Sequence, residues 1–376
     1  VTTLVDRLKA GIVAHGPLRF DAFMASALFD PTDGYYATGR ARIGRDGDFY
    51  TNVSVGRMFG RVIAAQVAEI WELLDRPAPF DFVEQGANDG RLAADVLEAL
   101  ATDSPECARA IRVTLVEPFP ALVAAQRITL AAHADRVRWF PDLESLPPFT
   151  GVHFTNEYAD ALPVRIFSRS EGAWLERHVV VKDDALAFDD RVCSDVPSIL
   201  PPGWPEPYLA EVRPEAGPWI AAVAEKLVRG VMLVVDYGFP REQLYAPWRA
   251  KGTLSGYRTH RRDDDPLDAP GEKDLTAHVD FTDLAEAGQA AGFELAGFTD
   301  QYHFLVGAAT PLLFAMETLS PSAGGDADLR AMKTLLHPET MGTQFKYLAL
   351  SRGLPLDAEL AGFRHARPAG PALGLA

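Results

Sequence analysis

Cysteine is scarce in this chain of 376 residues: there are two, Cys107 and Cys193, far apart. That excludes a disulfide framework and any zinc-ligand spacing, so no metal is expected and both thiols read as buried or idle. Basic charge is in the minority. Lys and Arg number 36 against 52 Asp and Glu, a formal net charge of −16. A nucleic-acid partner needs a basic stripe, and this balance argues against one while leaving room for a cationic substrate. Long apolar runs are also missing. The longest, "FLVGAATPLLFAM" from 304, is interrupted by Pro311 and falls short of the roughly 18 residues a membrane span needs. The N-terminus carries no basic segment followed by an apolar core, so no signal peptide is read and the cytoplasm is the expected compartment. No internal repeat is visible.

What is present is a globular composition, 48% hydrophobic and 23% charged. The length implies one large domain with insertions, or two domains. Residues 1–78 read as a mainly helical region. Its clearest helix is "RMFGRVIAAQVAEIWELL", with Phe59, Val62, Ile63, Val67, Ile70, Trp71 and Leu74 on one face. Before it lies a long loop rich in Gly, Asp and Tyr, a length that points to function. From Pro79, strands alternate with helices: "FDFVE", "GRLAADVLEAL", "IRVTLVEP", "PALVAAQRITLAAH", "VRWFPDL", "VHFTNEYADALP". That rhythm predicts a parallel sheet with crossover helices over 79–165, resuming over 226–352. Residues 166–225 interrupt it with hairpin strands and the helix "GPWIAAVAEKLVRG", capped by Gly230. Residues 241–281 read as a polar lid loop, "ELAGFTDQYHFLV" as a strand, and 353–376 as a loose tail rich in Pro, Ala and Gly.

Ligands of open parallel sheets sit at the carboxyl ends of the strands, so those ends hold the candidates. The first is "FVEQGANDGR". A dinucleotide loop needs G-x-G-x-x-G, and Gly86-Ala87-Asn88-Asp89-Gly90 does not fit it. It fits better the E-x-G-x-G-x-G turn of S-adenosyl-L-methionine (SAM) enzymes, with Asn88 in place of the middle glycine. Asn tolerates positive φ better than most residues, so the loop can keep its shape. Glu84 would stand near the cofactor's ammonium, Gly86 would let it approach the backbone, and Gly90 starts the helix. Glu117 ends the next strand, where a carboxylate can take both ribose hydroxyls. Asp142, followed by Leu143, can accept the adenine amino group. Glu157 and Asp160 lie three residues apart beyond a buried strand and can grip a guanidinium. His260 and His278, in the second long loop, are candidate bases.

Together these motifs make the chain resemble the MidA-like family of SAM-dependent methyltransferases. The resemblance runs through "GDFYT" at 47–51, "FG" at 59–60, "EQGANDG", "VEP" and "NEYADALPV". It continues in "DYG" at 236–238, "GTLSGYRTHR", "PGEKDLTAHVDF" and "MGTQFKYLALSR". It implies a Rossmann-like class I α/β fold with a mainly parallel seven-stranded sheet, a helical N-terminal region and inserted lid and hairpin elements. It implies SAM as cofactor, held by Gly86, Asn88 and Gly90 at its methionine part and by Glu117 at the ribose. Asp48, Thr51 and Gly60, from the N-terminal motifs, are further expected cofactor contacts, and Asn156 and Glu157 would lie next to the transferable methyl. Mitochondrial members dimethylate an arginine of a complex I subunit. The implied partner is therefore a protein substrate, a respiratory-complex subunit among the candidates, with a homodimer as a compatible assembly. The chain departs from the family at the glycine loop, at Thr51-Asn52-Val53-Ser54-Val55, at Arg61 after "FG", and at Tyr158-Ala159. The competing expectation is therefore a binding or assembly module with a degenerate SAM site; a nicotinamide-dependent reductase is disfavoured by the glycine spacing.

Overall fold

The structure, a computed structural model, describes residues 2–39, 51–201, 203–258, 261–263, 265–310 and 323–375. It divides into two compact units. One holds 1–49, 159–216 and 241–279; the other holds 50–158, 217–240 and 280–376. The division does not follow the expected helical region 1–78. Residues 50–78 fall in the other unit, and the helix Met58–Leu73 packs on the large sheet's core.

The larger unit is built on seven strands: β1 (Phe80–Gln85), β2 (Ile111–Val116), β3 (Val137–Phe140), β4 (Phe149–Asn156), β5 (Leu227–Phe239), β6 (Glu294–Asp300) and β7 (Phe345–Arg352). Their order across the sheet is β6-β7-β5-β4-β1-β2-β3. Neighbours pair in parallel except at β7, which runs antiparallel to both β5 and β6. The expected mainly parallel sheet of seven strands is thus present. Strands β1 and β2 along nearly all their length, and β5 over 230–236, are buried because helices cover both faces. The helix Met58–Leu73 contributes Val62, Ile63, Val67 and Ile70 to the same core as Leu92, Val96 and Leu97 of Arg91–Asp103. Strand order reverses between β1 and β4, which puts the switch point of the sheet at Gln85 and Asn156.

The structure differs from three local expectations. Gly230 does not cap a helix. The helix ends at Lys226, and Gly230 lies inside β5 opposite Gly151, where a side chain would run into that carbonyl. "ELAGFTDQYHFLV" is a strand only to Asp300; Asp300 then caps the helix Gln301–Ala308 by accepting from the His303 amide. The tail is not loose. Leu360, Phe363 and Leu373 are buried, the amides of Ala361 and Gly362 donate to Glu69 and Gln66, and Thr282 donates to the Leu373 carbonyl. A composition rich in small residues hid three anchoring apolar side chains.

The smaller unit carries the expected hairpin, extended into an antiparallel sheet ordered Leu18–Arg19, Ala173–Lys182, Arg165–Ser170, Tyr208–Val212, with Ala185–Val192 on Ala173–Lys182. The expected lid loop contributes a second sheet, Arg261–Asp263, Ser255–Arg258 and Asp274–Thr276. Helices Leu4–His15 and Phe20–Phe29 bury Leu4, Leu8, Phe20, Phe23 and Met24 against Ile166, Val179 and Leu275. Buried Arg213 stitches two loops of this unit. It donates to the carbonyls of Leu162 (3.2 Å), Asp160 (3.3 Å), Ala277 (2.8 Å) and His278 (3.5 Å). Arg213→Met removes these charge-assisted donors and strands buried acceptors. A loss of about 3 kcal/mol of unfolding free energy in urea titration is expected, and an unchanged midpoint would contradict the role.

Candidate functional site

The turn after β1 has the shape that a cofactor loop requires. Gly86, Asn88 and Gly90 have φ of +80°, +46° and +81°, so every second residue is left-handed and Asn88 does keep the conformation of the glycine it replaces. The Gly90 amide donates to the Ala87 carbonyl at 2.8 Å, and the helix begins at Arg91. A side chain at Gly86 would meet the Tyr158 ring at 3.0 Å. Below the loop, Glu84 is buried, and among the described residues its Oε2 has no hydrogen-bond partner. Burial, with the nearby charges of Asp89 and Asp95, pushes its carboxyl up to about 8. A buried acceptor left without a donor costs on the order of 1–3 kcal/mol, so this oxygen is a ready partner for a ligand cation.

Glu117, at the end of β2, is the second buried acid. One oxygen accepts from the Phe119 amide at 3.0 Å and the other from Gln126 Nε2 at 3.1 Å. Burial pushes its carboxyl up to about 7 although both donors pull it down. Each oxygen keeps a lone pair, which suits a vicinal diol. Beside it lies a cavity of about 400 Å³ lined by Pro118, Val123, Arg127, Trp139 and Phe140 as well as Glu117. The Arg127 guanidinium stacks over the Trp139 ring at 4.3 Å.

At the end of β4, Asn156 Nδ2 donates to Glu157 Oε1 at 2.9 Å, and Asn52 Nδ2 donates to Asn156 Oδ1 at 3.1 Å. Glu157 is itself left-handed, φ +55°, and its amide donates to the Val235 carbonyl at 2.9 Å. The next residue, Tyr158, is fixed by a buried network. Gln85 Nε2 donates to the Tyr158 hydroxyl at 2.7 Å, Trp219 Nε1 donates to Gln85 Oε1 at 3.0 Å, and His153 Nε2 lies 3.2 Å from the same oxygen. Burial drives His153 down to about 3, so it is neutral. Residues 84–90, 117, 126 and 156–158 therefore all belong to the carboxyl ends of β1, β2 and β4 and the segments after them.

Other predicted residues are placed differently. Thr51 is buried, but its hydroxyl caps the short helix Asn52–Val55 through Ser54. Gly60 is a packing residue: any side chain would strike Asp95 where helices Met58–Leu73 and Arg91–Asp103 cross. Asp142 is exposed, and its carboxylate accepts from the Ser145 amide at 2.7 Å, which lowers its pKa; neighbouring Leu143 is buried. Asp160 belongs to the other unit. Burial raises its carboxyl to about 6 while the Arg213 charge opposes that shift. His278 is half-buried in that unit, with its amide donating to Thr253 Oγ1. Asp48 and His260 lie outside the described residues. Cys193 is not idle: it joins Glu176 and Asp195, but Arg165 already pairs with both acids at 2.7 and 3.0 Å, so the cluster is an ion-pair network with its cation in place.

Gln85, Gln126, Trp139, His153, Tyr158 and Trp219 were not expected. Gln126 had a signal: it occupies the apolar phase of its helix, between Val123 and Leu130, where a polar residue needs a buried partner.

The comparisons agree with this geometry. The family of S-adenosyl-L-methionine-dependent methyltransferases matches residues 62–299. Protein arginine methyltransferase NDUFAF7, mitochondrial, of Bos taurus is 29% identical over 385 residues, covering 93% of this chain and 83% of that one. The NDUFAF7 homolog of Drosophila melanogaster is 27% identical over 387 residues, covering 94% and 85%. A crystal structure of a Burkholderia thailandensis protein bound to S-adenosyl-homocysteine superposes with a TM-score of 0.88 at 32% identity, covering 98% of this chain and 96% of that one. With the sheet order, the glycine turn and this match over most of its length, the chain belongs to the MidA-like family of SAM-dependent methyltransferases.

Proposed function

We propose that this SAM-dependent methyltransferase acts on a nitrogen of an arginine side chain in a protein. The observation that carries the acceptor is Glu157. A carboxylate stands at the switch point of the sheet, and Asn156 and Asn52 hold it in line. The relatives named protein arginine methyltransferases support the same reading. The net charge of −16 favours a cationic acceptor. A respiratory-complex subunit is the substrate that the family resemblance implies.

The residues fit the cofactor on two observations of this structure: the orphaned, buried Glu84 oxygen and the left-handed loop that a side chain at Gly86 would obstruct. In this reading Glu84 takes the ammonium of SAM, Gly86 to Gly90 line its methionine part, and Glu117 takes the ribose hydroxyls. When bound, SAM supplies an electrophilic methyl on a sulfonium. Little chemical assistance is needed, so the chain's task is alignment. Glu157 orients the guanidinium nitrogen by its charge and accepts the proton that the nitrogen sheds. The retained loop shape argues against a decayed binding module. Incubating host lysate with methyl-labelled SAM and the enzyme tests the acceptor. Label recovered as methylarginine is expected; label confined to another side chain or to small molecules would overturn the reading.

A further inference from the structure

We infer that Gln126 is a positioning residue that locks the two halves of the cofactor cradle to each other. Its side chain is fully buried, and all its polar groups are used. Nε2 donates to the Asn88 carbonyl at 2.9 Å and to Glu117 Oε2 at 3.1 Å, and Oε1 accepts from Trp139 Nε1 at 3.0 Å. The indole N–H can only donate, so it must face the amide oxygen. That leaves the NH₂ group to face the two acceptors, and the amide has one orientation.

Three elements meet at this one group: the turn after β1, the acid after β2, and β3 through Trp139. Gly90 also packs on it, since a side chain there would meet Gln126 Cγ at 3.4 Å. Asn88 has no freedom to drift, because its carbonyl is tied while its φ is left-handed. Glu117 has its carboxylate plane set by Gln126 on one oxygen and the Phe119 amide on the other. Each oxygen keeps a lone pair, and in the proposed role these take the ribose diol. Gln126 therefore acts through Glu117 on how strictly the ribose hydroxyls are recognised. This rests on Glu117 as the ribose acid.

The test is a binding cycle with two probes, S-adenosyl-homocysteine and its 2′-deoxyribose analogue, titrated calorimetrically into the full-length protein. The wild type is expected to favour the natural ligand by about tenfold, the worth of one good hydrogen bond. In Gln126→Met that preference is expected to fall to about twofold or less, with the analogue's affinity little changed. Trp139→Phe, a milder change that frees the amide to flip, keeps the test available if Gln126→Met does not fold; it should shrink the preference in the same direction. A variant that weakens both ligands by the same factor has lost only packing, and the inference fails. If Glu117→Ala itself leaves both affinities unchanged, the ribose assignment fails first, and that result is distinguishable from the other.

Discussion

Glu117→Ala is expected to weaken S-adenosyl-homocysteine binding by about 100-fold or more while leaving the fold intact. The carboxylate would give up two charge-assisted hydrogen bonds to the ribose, each worth roughly 1.5–3 kcal/mol. Truncation also removes a buried acid that stands up near 7 in the free protein, so folding should not suffer. The sign of the pH dependence follows from that position. In the proposed role the charged form holds the diol, and below about 7 a proton must first be displaced. Affinity should fall as pH drops through 7, approaching tenfold per unit. Glu84, near 8 for the same cause of burial, adds slope between 7 and 8 because its charged form meets the ammonium. For stability without ligand the sign is opposite. Both acids bind protons more tightly folded than unfolded, so their contribution is full below about 4.5 and is lost as pH rises through 7 and 8. Calorimetric titrations at pH 6 to 9 on both proteins check this, and a pH-independent affinity in the wild type would contradict it.

Glu157→Gln should separate binding from transfer. The amide keeps the shape and can still contact Asn156, but it neither attracts a guanidinium nor takes up a proton. The rate of methyl transfer is expected to fall on the order of 100-fold or more, with S-adenosyl-homocysteine affinity within about threefold of wild type. Asp160→Asn serves as the contrast. Asp160 faces Arg213 inside the smaller unit, so its loss should act on stability before it acts on rate. A Glu157→Gln enzyme that transfers at the normal rate removes Glu157 from the mechanism.

What the sequence reveals and what it hides divide along physical lines. Buried parallel strands such as "VTLVE" advertise themselves by continuous apolar character, and their polar ends mark Glu84, Glu117 and Asn156-Glu157. The backbone demand at Asn88 was also legible, because few residue types tolerate that φ. Gly60 packs at a helix crossing, and in one sequence such a glycine and a glycine beside a ligand look alike. Sequence spacing also does not show that Arg213, more than fifty residues on, supplies a counter-charge to Asp160. The Gln85–His153–Trp219 network was illegible for the same reason: its members converge only when β1, β4 and the helix Ala216–Lys226 are packed. The tail, with its small residues, concealed Phe363 and Leu373 as anchors.

In the proposed arrangement the ends of β1, β2 and β4 cradle the cofactor, with Glu84 at its ammonium, Glu117 at its ribose and Glu157 at its sulfur end. A crystal structure of the protein with S-adenosyl-homocysteine tests all three at once. Both ribose hydroxyls are expected within hydrogen-bond distance of Glu117, the ammonium beside Glu84, and the sulfur facing Glu157. A ribose that lies away from Glu117, or a homocysteine portion that does not follow residues 86–90, would contradict it.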